Sequence, residues 1–205
     1  MFDDGFKTII SNVREEIYYH INTGKKLEIG DVLEIGDKYN NFYYQIYNTE
    51  YLEDNKDANE ILIEMKKNNS LTFANSDIAM VVSKTVNDSA MITRELMFEE
   101  VRNEINNELP SRLKCLYVCK TENEIKSWLE IFKRTNKKDY QILKIKLTGK
   151  IFEGDASYVL RQNISLNKKR EQAKLYWSGN KKDNISEYLF EGIVVVEDIL
   201  DKKYV

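Results

Sequence analysis

The sequence predicts one α+β domain, residues 1–205, built on a mostly antiparallel or mixed sheet. Hydrophobic residues make up 42% of the chain, which is enough for a sizeable core. Helical and strand-like patterns alternate along the chain instead of separating into blocks, as they do in mixed α and β domains. One proline and eight glycines leave few breaks, and no low-complexity linker marks a second domain.

Helices are predicted where apolar residues recur at three- and four-residue intervals. Asp88 can cap the clearest helix, and Thr121 with Glu124 fits a capping box for the next one. The tyrosine-rich segment 42–51 fits either a helix or a strand. The predicted helices span residues 4–16, 58–67, 88–107, 121–134 and 165–177.

Strands are predicted where apolar and β-branched residues alternate or run together. The segment 140–147 alternates lysines with Leu and Ile, which is typical of a half-exposed strand. The segment 187–196 is apolar and β-branched, which is typical of a central strand. The other predicted extended segments span residues 17–21, 27–31 and 113–119.

Composition also bears on the cellular compartment and on metals. No apolar run approaches the ~20 residues that span a bilayer, and the N-terminal segment lacks the basic and apolar regions of a signal peptide. Cys115 and Cys119 fall on the same face of a predicted strand, so we expect reduced core thiols and a cytoplasmic protein without membrane association. With two cysteines and one histidine, a zinc site is not expected.

Charge is divided unevenly along the chain. The net charge is −3, but residues 1–108 carry 11 Lys and Arg against 21 Asp and Glu, and the remainder carries 20 against 13. The basic half could meet an acidic protein or a phosphate backbone. The alternative is a solvated helix face with flanking loops. The basic residues concerned are Arg161, Lys168, Lys169, Arg170, Lys174, Lys181 and Lys182.

Two ionisable side chains are candidates for a ligand site. His20, the only histidine, lies in a predicted strand directly before Asn22 and Thr23, where polar groups beside a turn suit a ribose hydroxyl or a carboxamide. Glu187 begins an apolar strand and could stabilise positive charge developing on a sugar if it lines a cleft. Glu191 has the same strand parity and is its rival. A structural histidine and an exposed glutamate are the alternatives.

Other candidates are aromatic or cationic. Tyr117 lies on the same strand face as the two cysteines, as a core residue or as a ring stacked on a ligand. Arg94 and Arg102 share a helix face, and Arg112 directly precedes the Tyr117 strand, so each guanidinium is a candidate phosphate ligand, Arg112 above the others. The alternative is pairing with the nearby acidic residues Glu95, Glu99 and Glu100.

The order of these segments resembles the ADP-ribosyltransferase superfamily of the His-Tyr-Glu type. The segment YHINT at 19–23 is similar to the first motif, LYVCKT at 116–121 to the second, and SEYLF at 186–190 to the third. The chain resembles more closely a poorly characterised bacterial and phage family of unknown function. The pieces that carry this resemblance are YHINTGKKLEIGDVL, RELMFEEVR, PSRLKCLYV, TGKIFEGDA, AKLYWSG and SEYLFEGIVVVE.

The resemblance implies a split pair of mixed or antiparallel sheets flanked by helices, with NAD as co-substrate in the split. His20, Tyr117 and Glu187 would be the catalytic residues: His20 would bind NAD, Tyr117 would stack on nicotinamide, and Glu187 would stabilise the oxocarbenium-like ribose. Residues binding NAD would also include Asn22, Thr23, Arg112 and Arg94. Residues 52–87 match no part of the pattern and form a candidate insertion over the cleft.

The implied activity is that of a glycosyltransferase that attaches ADP-ribose to a macromolecule, protein or nucleic acid, in a toxin or host-defence setting. Enzymes of this kind that modify arginine need an acidic residue two positions before the catalytic glutamate, where this chain has Ile185, so arginine is not the expected acceptor. One alternative is an inactive protein of the same fold that binds a nucleotide or a partner protein. Another is a nucleic-acid-binding module using the basic half, which the acidic whole disfavours.

Overall fold

The computed structural model describes residues 10–48, 52, 55–67, 76–134, 139–159, 164–183 and 185–203, and these residues form an α+β domain. Its described elements are five strands, five α-helices and a short 3-10 turn. In chain order they are β1 (Ile10–Asn22), β2 (Val32–Ile35), α1 (Asn41–Asn48), α2 (Ala58–Lys67), α3 (Ser76–Ile105), β3 (Leu116–Val118), α4 (Glu122–Arg134), β4 (Tyr140–Asp155), the turn Ala156–Tyr158, α5 (Leu166–Trp177) and β5 (Ser186–Lys203).

The five strands form one antiparallel sheet in the order β1-β4-β5-β2, and β3 pairs with β5 on the same side as β2. The long strands β4 and β5 are its centre. The sheet curls until β1 reaches β3, where Tyr19 and Cys119 exchange two backbone hydrogen bonds of 2.8 Å each. The predicted α+β class and antiparallel pairing are therefore confirmed, but the described strands form one sheet and not the split pair that the resemblance implies.

Strand alternation gives the curled sheet an inner and an outer face. Leu143, Ile145 and Phe190 point to the inner face and belong to one buried cluster with Tyr18 and Val194. The outer face is covered by α3 and α5. Its cluster includes Phe98, Phe152, Tyr176, Trp177 and Leu189.

Two facing glycines let the backbones of the paired strands β4 and β5 approach each other closely. Gly149 pairs with Gly192, and a Cβ on Gly192 would lie 2.8 Å from the Gly149 Cα and 2.5 Å from the Thr148 carbonyl oxygen. Gly192 also has a φ of +139°, a conformation that side chains with a Cβ rarely adopt. A side chain with a Cβ at Gly192 would therefore push the two strands apart and strain the backbone.

The predicted helix at 4–16 is wrong from Ile10 onward, where β1 begins; residues 1–9 lie outside the described residues. The apolar spacing that suggested a helix does not mark a buried face, since Ile17 is 40% exposed, and β1 contains a bulge. Glu15 has a φ of 54°, and the pairing with β4 shifts between Arg14 and Glu16. The bulge reverses the strand parity, so Val13 and Tyr18 share the inner face although they are five residues apart.

Most other elements follow the predictions in position, with differences in length. The extended segment predicted at 27–31 is wrong, because it forms a loop and turn before β2, and Asp88 lies inside α3 instead of capping it. The helix predicted at 58–67 is confirmed as α2, and the ambiguous tyrosine-rich segment is helical as α1. The helix predicted at 88–107 is α3, which begins at Ser76 and so crosses the end of the candidate insertion at 52–87. Part of that segment lies outside the described residues. No helix in the described part of the chain combines the length and apolar character needed to cross a bilayer.

Candidate functional site

His20 lies near the end of β1, half-buried, on the inner face of the sheet. It pairs with Leu143 and has the parity of Tyr18, and both of these residues belong to the inner cluster. Its Nδ1 lies 2.9 Å from the carbonyl oxygen of Tyr117. Because a carbonyl only accepts, Nδ1 must carry the proton and Nε2 must carry the lone pair.

The imidazole of His20 is held neutral by its surroundings. Burial lowers its pKa below the ordinary 6.5, and this effect outweighs the contact with the Tyr117 carbonyl, which raises it. His20 also stands where β1 and β3 separate, because among the described residues the Tyr19–Cys119 pair beside it is the only bridge between those strands. Nε2 of His20 is therefore a hydrogen-bond acceptor at the point where β1 and β3 separate, which we call the His20 seam.

Asn22 is the last residue of β1, and Thr23 begins the turn that follows. The Asn22 amide donates to the Lys25 carbonyl and to Gln141 Oε1, both at 2.9 Å, and its oxygen accepts the Gly24 N–H at 3.0 Å. These three hydrogen bonds engage both the amide nitrogen and the amide oxygen of Asn22 and hold the turn in place. Thr23 is exposed on the same turn.

A buried ion-pair network lies on the outer face, centred on Arg112. Arg112 is 4% exposed and is placed by the turn between α3 and β3. Its Nε donates to Glu95 Oε2 at 2.8 Å, and its Nη1 donates to Tyr176 Oη at 3.0 Å and to Glu187 Oε2. The guanidinium carbon also lies 5.3 Å from the centre of the Tyr176 ring.

Glu187 is held in this network from two sides. It stands at the start of β5, 6% exposed, and the Tyr176 hydroxyl donates to its Oε2 at 2.6 Å. The same oxygen accepts from Arg112. Burial, followed by the negative charge of Glu187, holds the pKa of the Tyr176 hydroxyl well above its usual range, so the phenol stays protonated as a donor.

Arg94 and Glu95 complete the charge balance. Glu95 is 1% exposed, accepts from Arg94 Nε at 2.8 Å, and bridges Arg94 to Arg112. Burial raises the pKa of the Glu95 carboxyl, but the charges of Arg112 and Arg94 and their hydrogen bonds outweigh burial, so the pKa lies below its usual value. Two guanidiniums and two carboxylates thus neutralise one another away from solvent, as buried charges require.

Tyr117 contacts both His20 and the buried network around Arg112. Its carbonyl meets His20 across the seam, and its ring lies on the outer face with Leu189. Its hydroxyl donates to the Arg112 carbonyl at 3.0 Å, and the Arg112 guanidinium lies 5.7 Å from its ring centre. Burial raises the pKa of this phenol well above its usual range.

The arrangement predicted for His20, Tyr117 and Glu187 around one dinucleotide needs correction. His20 points to the inner face, whereas Glu187 pairs with Gly154 and shares the outer face with Leu189. The central strands β4 and β5 stand between the two side chains. Arg94 and Arg112, predicted to bind the pyrophosphate of NAD, direct their donors to Glu95, Glu187 and the Val159 carbonyl instead.

The remaining candidates are held in other contacts. Arg102 donates to both oxygens of Glu99, which is the ion-pair alternative. Glu191, the rival of Glu187, accepts the Ser111 backbone N–H at 2.8 Å. Part of the basic patch is paired: Arg170 pairs with Glu100 and Glu104 and Lys181 with Glu153, while Lys169 is buried with its ammonium 3.0 Å from the Ala90 carbonyl. Arg161 lies outside the described residues. These pairings favour the solvated helix face.

Sequence reasoning missed Tyr176 entirely and took Glu95 only as an alternative partner for Arg94. Both are central to the network, with 0% and 1% exposure. The signal for Glu95 was a charge on the apolar face of the α3 pattern, between Met91 and Phe98. For Tyr176 no local signal distinguishes it from the neighbouring Trp177, whose indole N–H donates to the Phe98 carbonyl at 2.7 Å.

In the described part of the chain, no group of three or more His, Cys, Asp and Glu side chains is placed to hold a metal ion. Comparison with curated proteins finds no match to the chain. A model of a protein family of unknown function, DUF2441, matches residues 18–202, which cover both the His20 seam and the buried network. The chain therefore belongs to the DUF2441 family of proteins of unknown function.

Proposed function

We propose that this protein binds NAD, or a related adenine dinucleotide, at the seam beside His20 and does not use Glu187 for chemistry. The observation that carries the proposal is the assigned tautomer of His20, whose Nε2 is an acceptor at the place where β1 and β3 separate. Ribose hydroxyls are donors that such an acceptor can hold. The resemblance of the segments around His20 and Tyr117 to dinucleotide-binding motifs supports the same ligand.

The binding proposal is favoured over the transferase because the Glu187 carboxylate is buried and paired. A group that stabilises a developing cation must be open to the reacting sugar, and Glu187 is only 6% exposed. Glu187 Oε2 accepts from Arg112 and Tyr176 inside the outer cluster. ADP-ribosyl transfer to a protein or nucleic acid is the second candidate, favoured by the fact that Tyr117 and Glu187 both contact Arg112 on one face.

Replacing His20 by asparagine is expected to weaken NAD binding about three- to tenfold, the effect of one lost neutral hydrogen bond. Asparagine can keep a donor to the Tyr117 carbonyl where Nδ1 stands, but it loses the acceptor at Nε2. Isothermal titration calorimetry with NAD measures the change, and thermal melting checks the fold. His20→Gln, which can keep an acceptor at that distance, is the matched control. Wild-type protein that takes up no NAD, or equal affinity in His20→Asn, would contradict the proposal.

NAD affinity is also expected to depend on pH in one direction. Because the pKa of His20 is lowered below 6.5 in the fold, affinity stays constant from pH 8 to about 6.5 and falls as acidification protonates Nε2. The contribution of His20 to folding stability has the same dependence on pH. It is fully present above pH 6.5 and is lost as the pH falls further, because His20 of the unfolded chain takes up its proton at a higher pH than His20 of the folded chain. Titrations at several pH values test this, with His20→Asn expected to lose the dependence. A rise in affinity on acidification would speak against Nε2 as acceptor.

Release of nicotinamide from NAD separates binding from transfer. The binding proposal expects no release above the uncatalysed background by the wild-type protein, with or without a host lysate as source of acceptors. Release by the wild type, together with a ~10²–10³-fold loss in a folded Glu187→Gln variant, would instead support the transferase.

A further inference from the structure

Part of the outer face of the sheet lies outside the cluster packed by α3 and α5 and is open to solvent. Strand alternation points Lys146 and Val195 to this face, because their neighbours Leu147 and Val194 belong to the inner cluster. The register continues this row to both edge strands, in the order Ile17, Lys146, Val195 and Val32. The ends of the row are apolar and exposed, with Ile17 at 40% and Val32 at 64%.

The adjacent row ends in two opposite charges. The register places its side chains in the order Arg14, Thr148, Ile193 and Glu34. Arg14 and Glu34 are both exposed, and neither has an ion-pair partner among the described residues. Three strand spacings, about 14 Å, separate their backbones, so the two charges do not meet within one chain. We call these two rows the open sheet face.

The open sheet face is complementary to itself. A second copy, turned by 180° about an axis parallel to the strands and laid face to face, meets each row with the same row in reverse order. Arg14 then faces Glu34 of the second copy, and Glu34 faces its Arg14, so that two ion pairs form. In the other row Val32 faces Ile17 of the second copy. The charge of Lys146 is already balanced within the chain, because its ammonium lies 2.8 Å from Glu197.

We propose that the open sheet face is the interface of a two-fold symmetric homodimer. Burial of the apolar side chains drives the contact, and the two ion pairs between Arg14 and Glu34 fix its orientation. A two-fold axis across the strands instead lays Arg14 against Ile17 and Glu34 against Val32, which places charges on apolar side chains without partners. Two rows bury less than the ~800 Å² per partner of a standard interface, so the dimer is weak and forms as the protein concentration rises.

Reversing the two charges separately and together tests the pairing. Arg14→Glu and Glu34→Arg are each expected to weaken dimerisation about tenfold or more, because like charges then face each other at both ends of the row. The double variant is expected to restore the dimer, since each copy again offers opposite charges. Sedimentation velocity over a series of protein concentrations measures the dissociation constant, and thermal melting checks the fold. Arg170→Glu, the same charge reversal on α5 outside the open sheet face, is the matched control and is expected to dimerise as the wild type does.

Three results would overturn the assignment. One is a wild-type protein that stays monomeric at every concentration, and another is a dimer that both single variants leave unchanged. The third is a folded double variant that dimerises no better than the single variants, because the two residues would then not face each other. The dimer is independent of the NAD proposal: His20→Asn is expected to leave dimerisation unchanged, so failure of one proposal is distinguishable from failure of the other.

Discussion

Arg112→Met is expected to lower the free energy of unfolding by about 3–5 kcal/mol, the effect of removing one partner from a buried ion pair. Methionine fills much of the same space, so a cavity contributes little. The cost arises because Glu95 and Glu187 lose donors while they remain buried at 1% and 6% exposure. Urea denaturation followed by tryptophan fluorescence measures the loss.

Arg170→Met is the matched control for this variant. Arg170 also pairs with two carboxylates, Glu100 and Glu104, but these pairs lie at the surface, where water and salt weaken them. We expect little change in its unfolding midpoint. An Arg112 variant as stable as the Arg170 variant would show that the network contributes no net stability and would remove our reason for assigning Glu187 a structural role.

The effect of Arg112→Met should also depend on pH. In the wild type the pKa of Glu95 is below 4.5, so its contribution to stability is complete above pH 4.5 and is lost as pH falls through the folded value. Without Arg112 that pKa must rise. The difference in stability between wild type and variant is therefore expected to shrink as pH falls below about 4.5. A constant difference across that range would argue against a charge-based cause.

Gly154→Ala is expected to lower the free energy of unfolding by about 3 kcal/mol, the upper end of the cost of overpacking. A Cβ on Gly154 would lie 2.3 and 2.5 Å from two carbons of the Tyr176 ring. That ring is fully buried among Phe98, Phe152 and Trp177, so it cannot move aside without disturbing the outer cluster. Displacing it would also break its hydrogen bond to Glu187.

Gly24→Ala is the control for the added methyl group. Gly24 is exposed, and a Cβ there would meet only side-chain atoms at 3.4 Å. Its thermal midpoint is expected to stay near that of the wild type. The same midpoint for Gly154→Ala would mean that Tyr176 has room to adjust, and the packing argument for the network would fail.

Local patterns correctly predicted several elements because each depends on neighbours a few residues apart. The capping box is one example: Glu124 accepts the Thr121 N–H at 3.1 Å, and Thr121 accepts the Glu124 N–H at 3.3 Å. The parity that placed Cys115 and Tyr117 on one strand face also holds, since both belong to the outer cluster, while Cys119 packs in a separate cluster with Ile21 and Ile142. Local patterns did not predict the β-bulge at Glu15, because the extra residue shows only in the pairing of β1 with β4, a strand distant in sequence.

The sequence alone predicted the α+β class, most of the helices and strands, and a short set of candidate site residues. These residues are His20, Tyr117, Arg94, Arg112 and Glu187. Only the tertiary structure decided which of them meet. It joined Arg94, Arg112 and Glu187 through Glu95 and Tyr176, and it put His20 on the opposite face of the sheet. The physical reason is that strand parity tells which side of its own strand a residue takes. The curl and pairing of strands distant in sequence settle which sides come together.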